Sequence, residues 1–249
     1  MSSSILRPSA KKRIAIVPGF DPRTQPLVLS DCSLQPLPFA AMRLEFICEA
    51  FKDRIDWEVE PVFTAAFHVD DVCLENIVRA AVFVPLVQRT DGLHVIFTRR
   101  ASHLYDHAGQ ISFPGGRIEP TDTDAVAAAL RETREEIGVE PQYIQLIGTQ
   151  PSFLTSTHFI MKPVIGYIRE GFSIQPDAAE VAEVFEVPLA FLLSPDNHRL
   201  HRAELPGGGH RFYFSISWGP YFIWGATAAL VRNLYHYLAA AVVQSALPR

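Results

Sequence analysis

The sequence predicts an α/β protein on three observations: strand-length apolar runs beyond about residue 75, a glycine-rich turn that feeds a capped helix ending at Gly138, and an apolar helix spanning 225–243. Strands interleaved with two helices imply helices packed against a sheet rather than a bundle or an all-β sandwich.

Taken in order, residues 1–75 are rich in Pro and lack the glycine-loop pattern of the remainder. One helix is expected there, over 38–51, with Met42, Phe46 and Phe51 as its apolar contacts. Residues 80–87 and 93–98 are β-branched apolar runs on either side of Asp91-Gly92, a hairpin signature. Pro114-Gly115-Gly116 then mark a turn, and Thr121, Asp122, Thr123 and Asp124 offer short oxygen-bearing side chains that cap free backbone N–H groups. The helix starts near Asp124 and runs without Gly or Pro to Gly138, placed as a C-cap glycine. Further strands are expected at 143–150 and 159–168, joined by the Ser/Thr-rich loop 152–158, and at 180–187, before Pro188. Residues 200–204 and 210–216 flank Gly207-Gly208-Gly209 and read as a hairpin, because a phosphate-binding glycine loop would lead into a helix.

Length and composition bound the function. The 249 residues, 48% hydrophobic and 20% charged with net charge −5, suit one domain plus an extension or two small domains. That balance argues against a general nucleic-acid or anionic-membrane surface, which needs a basic face. Cys32, Cys48 and Cys73 lack CxxC spacing, so neither a disulfide framework nor a zinc site is indicated and a reducing cytoplasm is expected. No window of about eighteen apolar residues occurs.

The chemistry concentrates on the 124–138 helix. At about 100° per residue, with Glu132 at 0°, Glu136 falls near 40° and Glu135 near −60°, while Val126, Leu130, Thr133 and Ile137 fall between about 100° and 160°. One stripe serves a core and its neighbour gathers carboxylates that repel one another. Arg131 precedes Glu135 by one turn and can pair with it, and a hard divalent cation would neutralise the rest. The competing reading is a solvated charged face.

The wider segment resembles the Nudix box of the Nudix hydrolases on Gly116, Asp122, Arg131, Glu132, Glu135, Glu136 and Gly138. Asp122 stands where Glu is usual, and eight residues, 123–130, separate it from Arg131 instead of seven. Both departures resemble the coenzyme A (CoA) diphosphatase branch, as does the upstream run Phe97-Thr98-Arg99-Arg100, Leu104, His107, Gly109-Gln110-Ile111-Ser112-Phe113. Tyr105 differs from that branch's usual Arg. The resemblance spans roughly 76–240. It implies a Nudix-type α/β/α sandwich around a mixed β-sheet, carrying a Pro-rich N-terminal extension (1–75) and a short tail (241–249).

The resemblance implies hydrolysis of a nucleoside-containing diphosphate, CoA or acyl-CoA in the first place, with Mg²⁺ or Mn²⁺ as cofactor. Glu132, Glu136 and Glu135 are the expected metal ligands, with the Gly116 carbonyl near the ion. Arg131 orients a glutamate, with cationic substrate contact as a second role, and the general base is Glu132 or an acid after the box, Glu180 or Glu183, whose bland alternative is a strand edge. Arg99, Arg100, Lys162, Gly115, Gly116 and Phe113 are the expected substrate contacts, although surface charge and core packing also account for the cations and for Phe113 and Phe153. His103 and His107, four apart, lack further zinc ligands. Rival readings are another nucleoside-diphosphate substrate, such as ADP-ribose or a dinucleotide, and a silent nucleotide-sensing domain. Expected partners are a small CoA-like nucleotide, no nucleic acid and no membrane; a homodimer is left open.

Overall fold

A computed structural model describes residues 20–28, 34–60, 77–104, 107–155, 158–205 and 208–246. Cys32, Cys73, Tyr105 and Gly207 lie outside these described residues. The hairpin written by Asp91-Gly92 is formed by β2 (Val78–Arg89) and β3 (Gly92–Arg100), antiparallel with Arg89 opposite Gly92. β2 also runs parallel to β8 (Phe159–Ile168) from Val78 to Val87, which makes it central and explains why its apolar run is nearly continuous. Around this pair the mixed sheet adds β4 (Ile111–Ser112), β5 (Gly115–Arg117), β6 (Ile144–Thr149), β7 (Phe153–Leu154) and β9 (Val181–Pro188).

The helix α2 (Ala125–Ile137) packs on one face, burying Ala128, Ala129 and Ile137 against Ala81, Phe83, Ile96 and Val164. The opposite face meets α3 (Leu189–Leu192) and α4 (Ala226–Ala246); Leu230, Leu234 and Leu238 of α4 share a core with Leu189, Val84, Val95, Phe97 and Val187. The result is the expected α/β/α sandwich on a mixed sheet. Alternation along β2 and β3 sends successive side chains to the two helices in turn.

A second, antiparallel sheet lies beside α4: β1 (Leu27–Val28), β10 (Arg199–Glu204), β11 (His210–Trp218) and β12 (Tyr221–Trp224). The β10–β11 hairpin was expected, while β12 was not, although Gly219-Pro220 between two aromatic runs is a usable turn signal. Expected helix 38–51 is divided by extended Arg43 (φ −87°, ψ 148°) into a 3₁₀ turn, Phe39–Met42, and α1 (Leu44–Ala50). The last helix runs three residues beyond 243, to Ala246, taking in much of the expected tail.

The early chain is built into this core. β1 pairs with β10, Ile47 and Ala50 are buried, and Phe51 lies over Gly148 of β6, where a Cβ would collide with its ring. The Tyr237 hydroxyl on α4 donates to the Ala50 carbonyl at 2.7 Å.

Candidate active site

The site is assembled where α2 passes over β5. Asp124 caps α2 by accepting from the Ala127 N–H at 2.8 Å, and Gly138 ends it at φ 73°, as the sequence predicts. Two residues ahead of the cap, Asp122 receives Arg131 through both Nε and Nη2, each at 3.0 Å. Arg131 Nη1 continues to Glu132 Oε1 and Glu135 Oε2, both at 2.9 Å, and Nη2 donates to the Arg117 carbonyl at 3.0 Å. The hydrogen bonds that Arg131 donates to Asp122, then those to Glu132 and Glu135, raise its pKa far above the ordinary value. One guanidinium therefore ties the entry loop, β5 and two acids of the helix into one unit.

Glycine brings the backbone close beneath those acids. A Cβ on Gly116 would run into the Glu132 carboxylate, and one on Gly115 (φ 155°) would strike the Ala81 carbonyl of β2. Without them β5 sits flush against α2, and the Gly115 N–H donates to Glu136 Oε2 at 3.2 Å. This N–H is a contact that sequence reading missed; the doubled glycine was its signal. Glu136 is 3% exposed, and burial pushes its pKa up to about 8, with Glu132 and Glu180 adding to the rise and the Gly115 N–H and Arg100 opposing it. Burial likewise raises Glu132, against the pull of Arg131. Arg100 Nη1 lies 3.8 Å from Glu136 Oε1.

The predicted residues separate into two groups. Glu132, Glu135, Glu136, Arg131, Gly115, Gly116 and Arg100 meet at one place, and Glu180 is close enough to act on both buried acids. Lys162 stands on β8 in the same cross-strand row as Ala81 and Gly116. Arg99 and Glu183 do not join them. Directly opposite each other on β3 and β9, they form their own ion pair at 2.9 Å, and Glu183 also accepts from the Tyr221 hydroxyl of β12 at 2.6 Å. The pleat accounts for this correction: Arg99 follows Phe97 and Val95 to the α4 face, while Arg100 follows Ile96 to the α2 face. Phe113 is also corrected. It is 3% exposed and stacked on Phe97 at 4.9 Å, a core residue with no face open to a ligand, and Phe153 packs against the same core.

The donor set suits a hard divalent cation. It offers carboxylate oxygens on a rigid helix and a backbone strand held close by glycine, with acids outnumbering cations. Among the described residues no three Asp, Glu, His or Cys side chains close on a common point, because Arg131 draws Glu132 and Glu135 toward itself. Arg131 engages Glu132 through Oε1 and Glu135 through Oε2. His107 Nδ1 bonds Gln110 Oε1 at 2.8 Å, and among the described residues neither it nor exposed His103 belongs to a group of three metal-ligating side chains. No helix among the described residues is long and apolar enough to cross a membrane.

Comparison with known proteins agrees with the geometry. The NUDIX domain family matches residues 78–206. The Nudix hydrolase NudL of Enterobacter sp. (strain 638), itself uncharacterized, is 40% identical over 158 residues, 63% of this chain and 80% of that protein. NudL of Salmonella paratyphi B has the same identity and coverage. The crystal structure of DR0079 from Deinococcus radiodurans superposes with a TM-score of 0.43 at 17% identity, over 66% of this chain and 88% of that one. With the box residues gathered around Arg131 and relatives of this identity and coverage, the chain belongs to the Nudix hydrolase family, enzymes that cut diphosphate bonds.

Proposed function

We propose that this hydrolase cleaves the diphosphate of CoA or acyl-CoA, releasing 3′,5′-ADP and 4′-phosphopantetheine or its acylated form. The observation that carries the reading is the junction of the 107–113 segment with the acid site. The Arg100 N–H donates to the Gln110 carbonyl at 2.9 Å, while the Arg100 side chain faces buried Glu136. The segment that resembles the CoA diphosphatase branch therefore borders the carboxylates.

Glu132, Glu136 and Glu135, with the Gly116 carbonyl, would hold Mg²⁺ or Mn²⁺. Bound there, the ion offsets phosphate charge and orients the diphosphate. Arg131 is a positioning residue that keeps α2 and β5 in register. Arg100 and Lys162 supply positive charge for phosphate oxygens. Glu132 or Glu180 takes the proton of the attacking water as the new P–O bond forms and the bridging P–O bond breaks, with the electron pair leaving on the departing phosphate. Residues 76–240 constitute the catalytic domain in this reading, and 1–75 an extension layered on it through β1 and α1. A reducing cytoplasm is the setting that the cysteine pattern supports.

Turnover of CoA, acetyl-CoA, ADP-ribose and a dinucleoside polyphosphate with Mg²⁺, with products identified by mass spectrometry, tests the reading. CoA should give 3′,5′-ADP and 4′-phosphopantetheine. Release of 3′-dephospho-CoA, thioester cleavage, or preference for ADP-ribose would reject it.

A further inference from the structure

A cleft of about 420 Å³ opens on the face of β3 opposite the carboxylates, within the roughly 300–1,000 Å³ of small-molecule sites. Its walls come from residues 20–23, from β12 and from residues 108–111, and Arg99 and Glu183 lie between them. Because Arg99 and Arg100 are consecutive, cleft and acid site share one end of β3 from its two sides.

The lining is aromatic and charge-balanced. Phe20, Tyr221, Phe222 and Trp224 contribute rings, and the charged groups are two guanidiniums, Arg23 and Arg99, and two carboxylates, Asp21 and Glu183. Arg99 is held by Glu183, and Arg23 lies over the Phe222 ring at 5.4 Å from its centroid. A phosphate would gain little from Arg99, already paired with Glu183, in a lining whose two carboxylates equal its two cations. A flat, uncharged heteroaromatic ring gains face contact with the aromatic walls, and its edge groups meet the carboxylates and the Gln110 amide.

We infer that this cleft binds the purine base of the substrate, with Phe222 and Arg23 as specificity-determining contacts and the phosphates running past Arg100 to the carboxylates. The inference rests on the nucleotide-diphosphate reading above and adds to it a base subsite partly built by the N-terminal extension.

Its test is titration of the full-length protein in EDTA with adenosine, and separately with pantetheine, followed by tryptophan fluorescence and calorimetry. Adenosine should saturate. Phe222→Leu and Arg23→Ala should weaken it about tenfold, the scale of one lost base-stacking contact. Exposed Arg23 can be cut back without opening the core, so a folding defect in Phe222→Leu would leave the test intact. Glu136→Gln should bind adenosine like wild type. Absence of saturable adenosine binding, affinities unchanged in both variants, or saturation by pantetheine alone would overturn the inference. If CoA is not a substrate and adenosine still binds with this variant pattern, only the substrate reading fails.

Discussion

Two arginines organise buried charge in this molecule, and their surroundings differ in exposure and in charge balance. Arg232 of α4, with a side chain 3% exposed, donates through Nε to Glu60 at 2.7 Å and lies 4.8 Å from the centroid of the Phe214 ring. Glu60 also takes His236 Nε2 at 2.8 Å, and its backbone N–H reaches Asn233. Burial lowers the His198 pKa to about 4, so that ring is neutral. Its Nε2 donates to the Leu192 carbonyl, leaving Nδ1 to accept from Arg232 Nη1 at 3.1 Å. Arg131 has a side chain 20% exposed and serves Asp122, Glu132 and Glu135 at once, with Glu136 and Glu180 nearby. One cluster balances its charge and closes over it. The other keeps more carboxylates than cations, the composition that recruits a divalent ion.

Breaking each centre sharpens that contrast. The largest stability effect is expected from Glu60→Ala, which strands Arg232 in the core and should cost about 3–5 kcal/mol. Urea denaturation reads the loss, and the activity of the remaining folded protein should match wild type. The opposite pattern is expected for Glu136→Gln. The exchange mimics the protonated form that burial favours, so the metal-free thermal midpoint should hold level or rise, while turnover falls about a hundredfold or more, the scale of losing one preorganised charge contact. Full activity together with an unchanged Mg²⁺-dependent midpoint would remove Glu136 from the site.

The two clusters also titrate with opposite sign. Burial opposes ionisation of Glu60, yet hydrogen bonds from His236 and Arg232 outweigh it and bring its pKa from 4.5 to about 2. Its stabilisation is complete above about pH 4.5 and is lost as pH falls through 2. Glu136 has its pKa raised from 4.5 to about 8, so the folded state holds a proton that the unfolded chain releases, and metal-free stability declines as pH rises across that interval. Thermal midpoints against pH in EDTA should show both limbs, and Glu136→Gln should flatten only the upper one. The smallest effect is expected at the α2 cap. Asp124→Ala should lower stability by about 1 kcal/mol, measured by urea denaturation.

Local signals were legible because their causes are local. The Asp124 cap, the Gly138 terminus and the Asp91-Gly92 hairpin each depend on a few neighbouring backbone groups, and the structure contains all of them. The two short strands of the second sheet that flank its hairpin were less visible. β1 is two residues long and β12 four, so neither shows a period.

The sequence by itself determined the fold class, the helix that carries the acids and the hydrolase family. Tertiary structure decided which predicted residues meet. A single step along β3 sends Arg99 to one helix layer and Arg100 to the other, which takes Glu183 out of the acid site and leaves Glu180 beside it. Phe113 went to the core because Phe97 offered a ring to stack on. Glu60 found Arg232 across 172 residues of chain. The physical reason is the range of the forces involved: capping and helical spacing act over a few residues, whereas burial and charge pairing depend on neighbours that only the folded chain brings together.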